Sequence, residues 1–382
     1  MKKAFMPLLF ALVFICGCAG NRDFIKHPDG EFIAKNQNTA YQPLSRTVEY
    51  VNQEKGVLSG ENPKAADIPG FDAAIKDLTL ATELPPVDFS TYNSSSSDIM
   101  LDFIVAMPDF TRLLALNYKY GVESGQPEVV YSSLLTALRL DAAVAGYPYV
   151  IGLFISSSRM GIILEAIKDT ASSSPLNALS VAELDALLAE VRMLQAGINQ
   201  RWREAYLFEA SMDDAVYMKF LKSHLEPQLS EAGQLEAVAL SRDLSRYFAQ
   251  YLADGDDALY QEVLKKKEAY NGYLRPEYRL SAVDSWIEAY KNAVAQLDVL
   301  EALLLAVKCK VESGVYPESL PLDAVEYSTE ADGFTISNET LNKHFNPVVY
   351  GAITEKADTP SSEGGITSAL LRIPDQPETS VL

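Results

Sequence analysis

Apolar side chains recur at Val283, Ile287, Tyr290, Val294, Leu297, Leu300, Leu304, Val307 and Val311, eight steps over 28 residues. A mean step of about 3.5 residues holds one stripe of a long helix against a neighbouring helix. A helix with such a stripe must bury it, and the simplest cover is other helices, so this segment points to a bundle. The charges flanking the stripe do not alternate as they do across a two-chain coiled coil. The partner expected is therefore another helix of the same chain.

The preceding residues, from Asp98 onward, carry the signals for several further helices. Gln126 and Pro127 open one over residues 126–145, because proline fits a first helical turn, and Gly146 closes it. Pro148 opens the next, to residue 167, and residues 172–175 break the chain. Ser180 stands three residues before Glu183, the spacing of a capping box, and Val181, Leu184, Leu187, Leu188, Val191, Leu194 and Ile198 then share one face. Further helices are expected over residues 200–225, 230–252 and 257–271, the last led by Asp256 and Asp257, whose charge suits a helix N-terminus.

The two ends of the chain read differently. Residues 19–60 are polar without a sustained helical period and predict a tether with a loosely packed extension, with a short strand over 47–51. A helix follows over 63–82, broken at Pro69 and Gly70 and stopped by Pro85 and Pro86, and residues 93–97 form a joint. Beyond Gly314, residues 325–329 and 333–337 alternate on either side of an Asp332-Gly333 turn, the pattern of a hairpin. Residues 347–354 and 366–373 add strands, with a loop over 359–365 and a tail from 374 to 382. The fold class expected is mainly α: a multi-helix bundle or irregular helical array over 63–313, with a small C-terminal β-containing cap over 314–373.

Lys2 and Lys3 precede an apolar stretch of 12 residues from Ala4 to Ile15, too short to span a bilayer and fit for the core of a signal peptide. Ile15, Cys16, Gly17 and Cys18 follow, and this leader resembles the lipobox of bacterial lipoproteins. The resemblance implies removal of residues 1–17 and acylation of Cys18, a polar extension over 18–62, and a membrane partner engaged through the acyl chains. Two or three chains anchor durably where one is marginal. Ala19, not aspartate, follows the cysteine, which implies the outer membrane, with the domain facing the periplasm.

With 52 acidic against 32 basic residues the net charge is −20, a field that repels nucleic acid. Only His27, His224 and His344 are present, far apart, and Cys309 is isolated, so neither a metal nor another cofactor is expected. Cys309 between Lys308 and Lys310 reads as a packing residue.

Two other local resemblances arise. The helix pair over residues 114–141 is similar to one tetratricopeptide unit, with Gly125, Ala137, Leu138 and Leu140 at its turn and packing positions, although a single unit does not make an array. Gly314, Tyr316, Pro317, Leu320 and Leu322 resemble the end of the long helix in bacterial pseudopilins and in exported helical bacterial proteins, without the apolar prepilin segment or a calcium loop.

No phosphate loop, dinucleotide fingerprint or nucleophile elbow occurs. Tyr118, Tyr120, Tyr147 and Tyr149, near consecutive helix ends, are the candidate binding residues, as tyrosines suited to a partner or ligand groove. A noncatalytic envelope binding or scaffold protein, meeting another envelope protein or a cell-wall component, is the function expected. The alternative is a periplasmic hydrolase built on carboxylates brought together by folding, for which Glu204 with Glu209 or Asp213 is the pair to examine.

Overall fold

The computed structural model describes residues 25–26, 28, 30–58, 65, 68–91, 100–222, 224–276, 282–330, 332–341 and 346–351. Cys18 and its leader, the joint over 93–97, the expected strand over 366–373, the loop over 359–365, the tail, His27 and His344 lie outside the described residues. Within them the fold is mainly α with a small antiparallel sheet at the C-terminal end.

The helices are α1 (Gly30–Lys35), α2 (Tyr41–Leu58), α3 (Phe71–Glu83), α4 (Asp102–Val105), α5 (Met107–Glu123), α6 (Pro127–Ala143), α7 (Val150–Thr170), α8 (Val181–Ala210), α9 (Asp214–Leu221), α10 (Glu231–Asp254), α11 (Asp257–Asn271) and α12 (Ala282–Ser313). A two-residue parallel pairing joins β1 (Ile25–Lys26) to β2 (Met100–Leu101). In the middle of the bundle, α7 packs against α5, α8 and α12. By length and composition α7 is apolar enough to cross a membrane, and here its apolar side chains are buried against those neighbours.

The long seam helix forms as its period requires, with Ile287, Leu297, Leu300, Leu304 and Val307 buried. Its partner is α8 of the same chain. Lys308 pairs with Asp185 at 2.6 Å, Arg192 Nε with Glu301 at 2.7 Å, Gln195 Nε2 with Asp298 at 3.0 Å, and Tyr290 Oη with Asn199 at 2.5 Å. One set of numbers rises as the other falls, so the two helices run antiparallel. The start of α8 carries the capping box: Ser180 N–H donates to Glu183 at 2.8 Å, and Glu183 N–H donates to Ser180 Oγ at 3.3 Å. Asp256 caps α11 by accepting from Ala258 N–H at 2.8 Å.

Two expectations are corrected. The strand over 47–51 is instead the middle of α2, and residues 30–54 are not loosely packed. Phe32, Tyr41, Leu44, Val48 and Val51 are buried, and the rings of Phe32 and Tyr41 meet Phe103, with Phe89 beside them. Burying these groups outweighs the β preference of Thr47, Val48 and Val51. The break expected near residue 200 is also absent: α8 continues to Ala210, and α9 begins only at Asp214. Gly197 alone costs about 1 kcal/mol in a helix, and burial of Trp202, Ala205 and Tyr206 further along α8 more than offsets that.

Gly314 ends α12 with φ +82°, a conformation that glycine adopts freely. The chain then turns through Pro317 into β3 (Glu326–Glu330), β4 (Gly333–Ser337) and β5 (Val348–Gly351), antiparallel in that order. The cap docks through tyrosines. Leu176 N–H donates to Tyr350 Oη at 2.8 Å, and Asn177 Nδ2 donates to Tyr316 Oη at 3.0 Å. At Gly351, with φ +87°, an added Cβ would stand 2.2 Å from the Asp332 carbonyl oxygen. Gly351→Ala is therefore expected to separate β5 from β4 and to cost about 1–2 kcal/mol. Urea unfolding and faster amide exchange confined to the cap would register it, and unchanged exchange at Phe334 and Tyr350 would contradict it.

Candidate functional site

Residue 159 is an arginine inside a helix whose residues from Val150 to Leu164 are otherwise uncharged. Its guanidinium is fully buried. It pairs with Asp141 on α6, Nε donates to Thr111 Oγ1 on α5 at 2.7 Å, and the second terminal nitrogen donates to the Ala137 carbonyl at 2.7 Å. Asp141 also accepts from Ser156 Oγ at 2.6 Å. One side chain thus ties three helices together, and each of its partners is itself buried or half-buried.

Burial alone would raise the Asp141 carboxyl. The charges of Arg159 and Arg201, with the hydrogen bonds from Ser156 and Arg159, outweigh it and hold the group below the usual carboxylate range. Burial likewise pulls the Arg159 guanidinium down, against Asp141, which holds it up. Arg201, on α8, is half-buried and has no hydrogen-bond or ion-pair partner among the described residues, although it lies near enough to act electrostatically on both members of the pair.

Beside this pair a cavity of about 220 Å³ opens between α7, α8 and the loop that joins α6 to α7. Asp141, Ser156, Arg159, Arg201 and Glu204 supply its polar wall. Ile104, Met107, Leu153, Phe208 and the Tyr147 ring supply the apolar one. Gly152 lets that ring close down, since a Cβ there would meet Tyr147 Cδ1 at 2.6 Å. A smaller recess on the other side of Asp141 and Arg201, lined by Trp202 and Leu297, lies between α7, α8 and α12.

The four candidate tyrosines do not form one exposed groove. Tyr118, Tyr147 and Tyr149 are buried, and Tyr120 alone is exposed, at 40%. Tyr118 Oη meets Thr170 Oγ1 at 3.1 Å. Tyr147 packs edge-on against Phe89 at 5.4 Å, and Tyr149 edge-on against Phe208 at 5.2 Å. At these helix ends large rings fill the space between elements, so they serve packing; Tyr147 reaches the cavity as well.

Nor are the candidate carboxylates paired. Glu204 is exposed at the cavity wall and accepts from Gln200 Nε2 at 2.8 Å. Glu209 is partly buried and pushed by burial up to about 7, while the Val150 N–H donates to it at 2.8 Å and opposes that rise. It thereby caps α7 from a different helix, in place of Tyr149, whose own side chain makes no cap bond. Asp213 is exposed at the N-terminus of α9. Cys309 is free and half-buried, 3.7 Å from Ser313 Oγ. Among the described residues no group of three or more His, Cys, Asp or Glu side chains is placed to hold a metal ion.

The ion pair and Arg201 went unseen at the level of sequence. The signal was there in Arg159, a lone charge in a buried helix. Compared with protein families, with curated proteins and with solved structures, the chain has no match in any of the three.

Proposed function

We propose that this is a lipid-anchored envelope protein whose helical domain is a noncatalytic binding module for a small molecule, held in the cavity between α7 and α8. The observation that carries the reading is the wall of that cavity: a fixed ion pair and a free guanidinium on one side, hydrocarbon and a tyrosine ring on the other. Sites that hold small ligands are mostly apolar concavities with a few fixed polar groups. The buried tyrosines argue against a protein partner received on Tyr118, Tyr147 and Tyr149. The carboxylate arrangement gives no support to the hydrolase alternative, because Glu204, Glu209 and Asp213 point to three different tasks.

Both halves of the reading have a direct test. Cys18→Ala is expected to remove the acyl chains, leaving the protein either in the soluble fraction or with its leader uncleaved; a variant that is cleaved and still partitions into detergent as the native protein does would overturn the anchor. Binding is read as a saturable rise in Tm of the full chain with small aromatic fragments such as 4-fluorobenzyl alcohol, since a ligand of the native state stabilises it as its concentration exceeds Kd. No rise with any neutral or charged fragment would overturn the binding module.

A further inference from the structure

Resting on that reading, we infer that the cavity selects a small organic monocarboxylate: an apolar body with a single carboxylate held by the unpaired fork of Arg201, beside the buried charge of Arg159. The charge count at the polar wall comes first. Asp141 is one carboxylate shared electrostatically by two guanidiniums, so this part of the wall carries one excess positive charge, inside a protein whose net charge is −20. Glu204, the other charged group at the wall, is exposed at its edge, engaged by Gln200, and makes no ion pair with Arg201 within 4 Å. A ligand with one negative charge neutralises the excess.

Donor count agrees. A guanidinium has five N–H donors in a planar fork, and Arg159, fully buried, spends three of them on Thr111, Asp141 and Ala137. Fully enclosed, it acts on a ligand through its charge; the donors of half-buried Arg201 are the ones within reach, and they have no acceptor among the described residues. A buried donor left without an acceptor is costly, and the planar carboxylate matches the guanidinium fork in two parallel bonds. The opposite wall asks for hydrocarbon: Met107, Leu153, Phe208 and Tyr147 offer it nothing to pair with a second charge. Size is consistent with this. An apolar cavity of about 150 Å³ takes benzene, so about 220 Å³ takes an arene or branched aliphatic chain with a carboxylate attached.

The test uses the full chain in a non-ionic detergent and three matched probes, 4-fluorobenzoate, 4-fluorobenzamide and 4-fluorobenzyl alcohol, with binding read by ¹⁹F line broadening and by Tm. The benzoate is expected to bind at least tenfold more tightly than either neutral probe. Arg201→Gln should remove that preference and leave the affinity for the amide unchanged, and Arg201→Lys, which keeps the charge and loses the fork, should fall between. The amide serves as the folding control for both variants. Equal binding of all three probes, or a benzoate preference that survives Arg201→Gln, would overturn the carboxylate inference and leave the binding module standing. Binding of none of them would overturn both.

Discussion

Replacing Asp141 by alanine is expected to lower the unfolding free energy by about 3–5 kcal/mol, the cost of stranding a buried charge whose partner is gone. The loss is more than one ion pair. Asp141 accepts from Arg159 and Ser156 and acts electrostatically with Arg201, so its removal leaves the buried Arg159 guanidinium under the like charge of Arg201 with no counter-charge. Asp141→Asn, which keeps an acceptor for Ser156 but not the charge, should lie between the native protein and the alanine variant. A buried ion pair is weak evidence for stability in itself, because well-packed apolar residues of similar volume often do as well. Asp141→Leu combined with Arg159→Met is therefore expected to recover most of the loss, and the benzoate preference, which Arg201 carries, should remain. Urea unfolding of the four proteins decides it. A cost below about 1 kcal/mol for the alanine variant would mean that water entering from the cavity already solvates Arg159.

What the sequence discloses about this fold follows how local each signal is. A capping box, a proline in a first turn or a glycine at a helix end acts through neighbouring backbone groups, and Ser180 with Glu183, Pro127 and Gly314 all do in the structure what their positions imply. The hairpin of β3 and β4 is equally local, with Asp332 and Gly333 at its turn. Residues 41–51 failed for the opposite reason. The buried positions Tyr41, Leu44, Val48 and Val51 do follow a helical stripe, yet Thr47 to Val51 also reads as a strand. Packing against α3 and against the Phe103 ring decides between the two. The site depends still more on distant contacts. Thr111, Asp141, Arg159 and Arg201 stand on four helices, and nothing in the chain's own periodicity measures the distance between them. The tyrosines misled because position near a helix end is legible while the side of the helix that meets the core is set by the whole bundle.

Glu209 makes a prediction of comparable size through pH. Its carboxyl is raised from an ordinary 4.5 to about 7, first by burial, against the opposing bond from the Val150 N–H. The folded chain therefore binds more protons at this group than the unfolded chain does between those two values. Stability must then fall as pH rises across that window. A shift of this size corresponds to about 3 kcal/mol if the unfolded group is unperturbed. The Tyr206 and Tyr217 hydroxyls, on which the Glu209 charge acts, do not titrate in the window, since burial first and that charge second drive both further above their ordinary value. Glu209→Gln keeps a carbonyl oxygen to accept from Val150 and removes the charge. The variant should match the native protein near pH 5 and exceed it in stability by about 2–3 kcal/mol near pH 8. The direction matters because a cap lost on neutralisation would do the reverse: if the Val150 bond needed the ionised carboxylate more than burial penalises it, the native protein would gain stability with pH and the glutamine variant would be weaker throughout. Urea midpoints at pH 5, 6, 7 and 8 separate the two, and parallel curves for native and variant would show that the unfolded and folded carboxyls titrate alike.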